Sequence, residues 1–298
     1  MKHIFFGIVI AVFLPNASKA QEWMTSLPIA KKLALAQNKM LFMVWEEAAL
    51  NPLPILVDDD NGNSVFIHDF IENLEINEIL WEHFVPVIVS ENEYPELLNA
   101  IEGKRSSRYL SKFNDNSVKI LDANGNILNL SDYTQSYFNL TQCITDYALN
   151  TVYLKQELTN YANEKNFYTA FYLASAYTDF AIYVPKKIRS DVISLSTLYL
   201  QEAYRYLETY AMEDKSDHYQ RCELLEINQF LLLDKPRKTL RRLKKINETE
   251  ISRVNSEWVN YLYFVAYSML NDEKNASIWK NKVSLVHLRK AESLINIR

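Results

Sequence analysis

Apolar side chains between residues 30 and 39 fall at helical spacing (Ala30, Leu33, Ala34), and the pattern stops at Asn38-Lys39. Met40-Leu41-Phe42-Met43-Val44-Trp45 follows with no polar residue, as in a strand covered on both faces. A second helical segment over 76–84 runs into a second apolar strand over 85–89. Between these two units, the apolar triplets 55–57 and 65–67 flank a polar turn at 58–64. Its Asn61-Gly62 suits the positive φ of a hairpin tip. Residues 46–69 therefore read as an insertion that carries a small β-hairpin. The alternation predicts an acidic loop and a helix over 91–110, and a polar turn over 111–116. A strand, an Asn124-Gly125 turn and another strand follow over 117–127. Tyr133, Tyr137, Phe138, Ile144 and Tyr147 then predict a closing helix over 131–150.

From residue 151 onward the apolar positions recur only at helical spacing. Helices are expected over 152–165 and 167–183, broken at Asn166, and a long one from Pro185 through Tyr210. Two further pairs, 218–233 with 236–246 and 256–270 with 273–285, hinge at Asp234-Lys235-Pro236 and at Asn271-Asp272. Pro236 suits a first helical turn. The predicted fold class is an α/β domain with a central mixed sheet flanked by helices (residues 21–150), followed by an all-α domain of helical hairpins (151–298).

Composition narrows the function. The chain carries a net charge of −5, and only four of its 298 residues are glycine. Acidity argues against a nucleic-acid partner. No phosphate-cradling glycine motif is present, and no cofactor is expected. Met1-Lys2-His3, the apolar stretch 4–14 and the small residues Ser18 and Ala20 lay out a cleaved signal peptide over 1–20. Losing Lys2 and Lys19 would take the charge from −5 to −7. The expectation is an exported protein, periplasmic or extracellular, with no membrane span in the mature chain.

Trp23, the helix ending at Asn38-Lys39 and the strand to Trp45 resemble the opening of secreted bacterial proteins of the thioredoxin-like superfamily. Residues 73–89 (NLEINEILWEHFVPVIV) resemble that family's helix and Phe-Val-Pro-Val strand, and 117–127 its final hairpin. The likeness spans 22–130. It implies a Cys-x-x-Cys motif after the first buried strand, where a helix N-terminus lowers the thiol pKa, and a cis-proline facing it. The matching positions here are Asp60, Asn63 and Asn116, and no cysteine precedes Cys143. A thioredoxin-like fold without thioredoxin chemistry is the expectation, and the alternative is a thiol–disulfide oxidoreductase or isomerase as the family implies. Ala170, Phe171, Ala174 and Ala176 resemble the knobs of tetratricopeptide arrays, without their Trp-Leu-Gly-Tyr consensus. Hinge to hinge, Asp234 and Asn271 lie 37 positions apart, near the ~34-residue period of those arrays. Such arrays bind proteins or peptides along one extended surface, so the expected partner is a protein or peptide.

The remaining candidate chemistry is sparse. Asp58, Asp59 and Asp60 offer hard oxygens for Ca²⁺, but with Gly62 at the sixth loop position Val57 and His68 stand where carboxylates are needed, so a solvated turn is the preferred reading. Glu46-Glu47 reads as a loop mouth. Cys143 and Cys222 form either one disulfide or two buried free thiols. Tyr199, Tyr204, Tyr206, Tyr210, Tyr261, Tyr263 and Tyr267 are candidate contact residues, but at helical spacing core tyrosines with a wet hydroxyl are the preferred reading. Arg237, Lys238, Arg241, Arg242, Lys244 and Lys245 read as a solvated helix face.

Overall fold

The computed structural model describes residues 22–59, 61–131, 137–211 and 213–296. The expected signal peptide and Asp60 lie outside them. The first part comprises α1 (Leu27–Gln37), β1 (Met40–Trp45), α2 (Glu46–Ala49), β2 (Ile55–Asp58), β3 (Ser64–Ile67), α3 (Leu74–His83) and β4 (Phe84–Val89). It continues through α4 (Tyr94–Ile101), α5 (Ser107–Asn114), β5 (Lys119–Leu121), β6 (Phe138–Asn139) and α6 (Leu140–Tyr147). The helical part adds α7 (Lys155–Asn163), α8 (Phe167–Phe180), α9 (Arg189–Thr209) and α10 (Lys215–Leu232). It ends with α11 (Pro236–Leu243), α12 (Ser256–Met269), α13 (Glu273–Lys280) and α14 (Leu285–Ile295).

All six residues of β1 are buried, because it is the centre of the main sheet. It pairs in parallel with β4 (Phe42 opposite Pro86) and antiparallel with β5 (Phe42 opposite Ile120). Met24 bridges to Val87 on the far side of β4, and Ile127 to Leu121 on the far side of β5. The order across the sheet is thus Met24, β4, β1, β5, Ile127. Asn38 closes α1 in the left-handed region at φ 57° and turns the chain into β1.

The hairpin over β2 and β3 forms as expected, but it is tied down. Phe138–Asn139 adds to it as β6, parallel to β2. The Asn139 side chain donates to both Asp58 carboxylate oxygens at 3.0 Å, and the Asp58 N–H donates to Thr141 Oγ1 at 2.9 Å. Of the helix expected over 131–150, positions 132–136 with Tyr133 lie outside the described residues, Phe138–Asn139 is strand, and α6 is the helical part. The edge of β2 offers unpaired backbone groups, and Phe138–Asn139 pairs with them. Phe42 joins the two sheets: its ring lies 5.6–5.9 Å from those of Trp23, Phe70, Phe84 and Phe138.

Residues 91–110 form two helices, not one. Gly103 takes φ 68°, and Ser106 caps α5, whose span runs to Asn114 and absorbs most of the expected turn. In the helical part the breaks fall where predicted. Asn166 and Thr169 make a reciprocal capping box, while Asp234 and Asn271 take φ 54° and 57° after their helices. The last pair differs from expectation: α13 stops at Lys280, and Ser284 caps a separate α14. Among the described residues, no helix is long and apolar enough to cross a membrane.

Candidate functional site

The positions singled out by sequence do not converge. Asp59 and Asn63 bond one another at the hairpin tip, with Asp59 Oδ1 accepting from the N–H groups of Asn61 and Asn63 at 2.9 and 2.8 Å. Asp58 is occupied by Asn139 and by the Ser64 hydroxyl at 2.6 Å. Among the described residues, no group of three or more His, Cys, Asp or Glu is placed to hold a metal ion. Asn116 is exposed in the turn before β5, and Glu46-Glu47 opens α2 at the surface. Cys143 on α6 and Cys222 on α10 are both free, buried thiols. Burial, reinforced by Asp146, pushes the Cys143 thiol well up, and burial alone pushes Cys222 up to about 12.

What the fold does assemble is a cleft of about 500 Å³ between the main sheet and the first long helices. Its walls include the apolar side chains of Leu97, Ile101, Tyr109, Phe113, Leu121 and Tyr206. Six cations line it, Lys31, Lys104, Arg105, Lys119, Lys165 and Arg205, against one acid, Glu202. They come from α1, the α4–α5 connection, β5, the α7–α8 connection and α9. In a chain of net charge −5, this is a local reversal of sign, and a concave low-dielectric wall concentrates its field.

These cations differ in how they are held. Lys119 is wholly buried, and its ammonium donates to the Asp115 and Ser117 carbonyls and to Asp115 Oδ1, so its protons are spoken for. Burial, only partly offset by Asp115, pulls its pKa down to about 8. Burial also lowers Lys31, with Asp122 opposing and Lys165 adding repulsion. The Arg105 side chain is 8% exposed. Its Nη2 donates to Glu202 Oε1 at 2.7 Å and to Asn126 Oδ1 at 3.1 Å. Its Nε and Nη1 are buried and have no hydrogen-bond partner. A buried donor without an acceptor costs about 1–3 kcal/mol, and folded proteins keep few of them. Glu202 is meanwhile satisfied, accepting from the Tyr161 hydroxyl as well as from Arg105.

Behind the cleft, the two parts of the chain exchange buried carboxylates. Asp122, at the turn after β5, is fully buried. Its Oδ1 accepts from the N–H groups of Asn124 (3.0 Å) and Asn126 (2.9 Å) in its own turn. Its Oδ2 accepts from the hydroxyls of Tyr177 on α8, at 3.1 Å, and Tyr199 on α9. Burial outweighs these donors and holds its carboxyl above the ordinary value of 3.8. In the reverse direction, Asp191 on α9 accepts from Tyr147 at 2.7 Å and Ser131 at 2.6 Å. Gly125 gives this turn its positive φ of 89°, which an L side chain rarely adopts, while a Cβ there would meet the Lys31 Nζ only at ordinary contact distance, 3.4 Å.

Of the candidate tyrosines, Tyr206 and Tyr210 line the cleft, whereas Tyr199 and Tyr261 are core residues. Tyr263 stacks on Trp279 at 4.2 Å. On α11, Arg242 lies 3.4 Å from Glu223 and Lys238 sits over the Phe230 ring. No protein-family model, curated protein or solved structure matches the chain.

Proposed function

We propose that this chain is an exported, non-catalytic binding protein whose binding place is the junction cleft and whose partner is a protein or peptide. The frame is read as a redox-inactive thioredoxin-like sheet joined to tetratricopeptide-like hairpins. Two features support that frame: a central strand parallel to one neighbour and antiparallel to the other, and consecutive helices hinged at Asp234 and Asn271. The signal-peptide layout of residues 1–20 supports export.

One observation carries the non-catalytic reading. Thiol exchange needs an accessible thiolate, yet the loop after β1 holds no cysteine, and both thiols of the chain are buried on helices elsewhere. Insulin reduction by dithiothreitol, with and without prior alkylation of the protein, is the test. The expected rate matches the protein-free control in both arms. Turnover that alkylation abolishes would establish the oxidoreductase alternative instead.

A further inference from the structure

We infer that the junction cleft takes an acidic peptide segment with apolar side chains, a reading that rests on the binding role proposed above and names its ligand class. Three observations lead there. The two unpartnered nitrogens of Arg105 lie in a side chain that lines the cleft and is already more than nine-tenths buried. Neither nitrogen has open surface with the side chain as it stands, so an incoming carboxylate meets them once the guanidinium turns toward the cleft, and charge-assisted bonds of this kind are the stronger class. The cations are also dispersed. Lys31, Lys104, Lys165 and Arg205 come from four separate places in the chain. One head group engages one or two such charges, whereas a peptide with several carboxylates can meet them in turn. Finally, Leu97, Ile101, Phe113 and Tyr206 give the cleft apolar walls, which suit aliphatic or aromatic side chains between the acids.

Glu202 does not defeat the sign of the site. It is held by Arg105, Tyr161 and, at 3.7 Å, Arg205, so its charge is already compensated within the cleft. The basic face of α11 is a different arrangement: Arg242 already faces Glu223 and Glu226, and Lys245, just past the end of α11, is exposed outside the cleft.

The test is fluorescence anisotropy of the full chain with a labelled acetyl-Asp-Leu-Glu-Phe-Asp-Leu amide, against the same peptide with Asn and Gln for the acids. The acidic peptide is expected to bind at least tenfold tighter, and its affinity to fall as salt rises. Lys165→Glu and Lys104→Glu, on exposed side chains, are each expected to weaken it about tenfold, as loss of one charged contact would. Arg105→Gln should weaken it further. Because that substitution also touches Glu202, the two lysine variants keep the test open if it misfolds. Lys245→Glu should leave affinity within twofold. Equal binding of the two peptides, no effect of the lysine variants, or an equal loss in Lys245→Glu would overturn the inference. Decanoate binding more tightly than the peptide would also overturn it and assign the cleft to a lipid acid. Insulin reduction on the same preparations separates the two proposals. Turnover with peptide binding intact removes only the non-catalytic reading, and absent binding without turnover removes only this one.

Discussion

Asp122→Ala is expected to lower folding stability by about 3–5 kcal/mol, since several buried donors each lose their acceptor at about 1–3 kcal/mol apiece. The substitution strips the acceptor from two buried phenols, Tyr177 and Tyr199, and from the N–H groups of Asn124 and Asn126. It therefore loosens the turn after β5 and the contact between the sheet and α8–α9 together. Urea denaturation reads this as a lower midpoint, and a loss below about 1 kcal/mol would show that the cluster is not what joins the two parts. Asp122→Asn keeps an acceptor for the turn and should cost less. It also carries a pH signature. Burial raises the folded carboxyl above 3.8, so the folded chain keeps a proton that the unfolded chain releases. The group's contribution is complete below that value and shrinks as pH rises through the folded pKa. The stability gap between the native protein and Asp122→Asn should accordingly narrow as pH rises from the ordinary 3.8 through the raised folded value.

Phe42→Ala should be of comparable severity, about 3–5 kcal/mol. The ring is wholly buried and touches Trp23 and Phe84 around the main sheet, Phe70 after the hairpin and Phe138 on β6. The cavity opens where the two sheets meet, so the rigid backbone around it can collapse only in part. Hydrogen exchange should quicken at Ile55 and Leu56, the β2 positions opposite Phe138 and Asn139. Phe42→Leu restores most of the volume and should recover more than half of the loss. A Phe42→Ala variant within about 1 kcal/mol of the native protein would refute a shared aromatic core.

The parts of the fold that sequence revealed are those whose cause is local. Residues 40–45 and 84–89 are apolar throughout because both faces of each strand are covered. Asp234 and Asn271 announce hinges because short polar side chains tolerate the left-handed conformation. Phe138–Asn139 was hidden because a two-residue strand has no period of its own and exists only opposite β2. The separate α14 was missed although Ser284 lies directly before Leu285, a cap signal that the sequence did contain. The candidate site was the least legible. Its cations stand at positions 31, 104, 105, 119, 165 and 205, and no spacing rule links residues gathered from so many elements. Asp122 reads in sequence as an ordinary turn aspartate, and its burial depends on α8 and α9 closing over it. The cysteines were legible only as alternatives, because pairing depends on where α6 and α10 lie.

The working surface of this protein does not use sulfur, and thiol titration of the folded protein with Ellman's reagent tests this most directly. Neither Cys143 nor Cys222 should react on the timescale of mixing in buffer, and both should react at once in denaturant, since each is buried and free. Rapid reaction of either thiol in the native protein, or fewer than two equivalents released on denaturation, would contradict it.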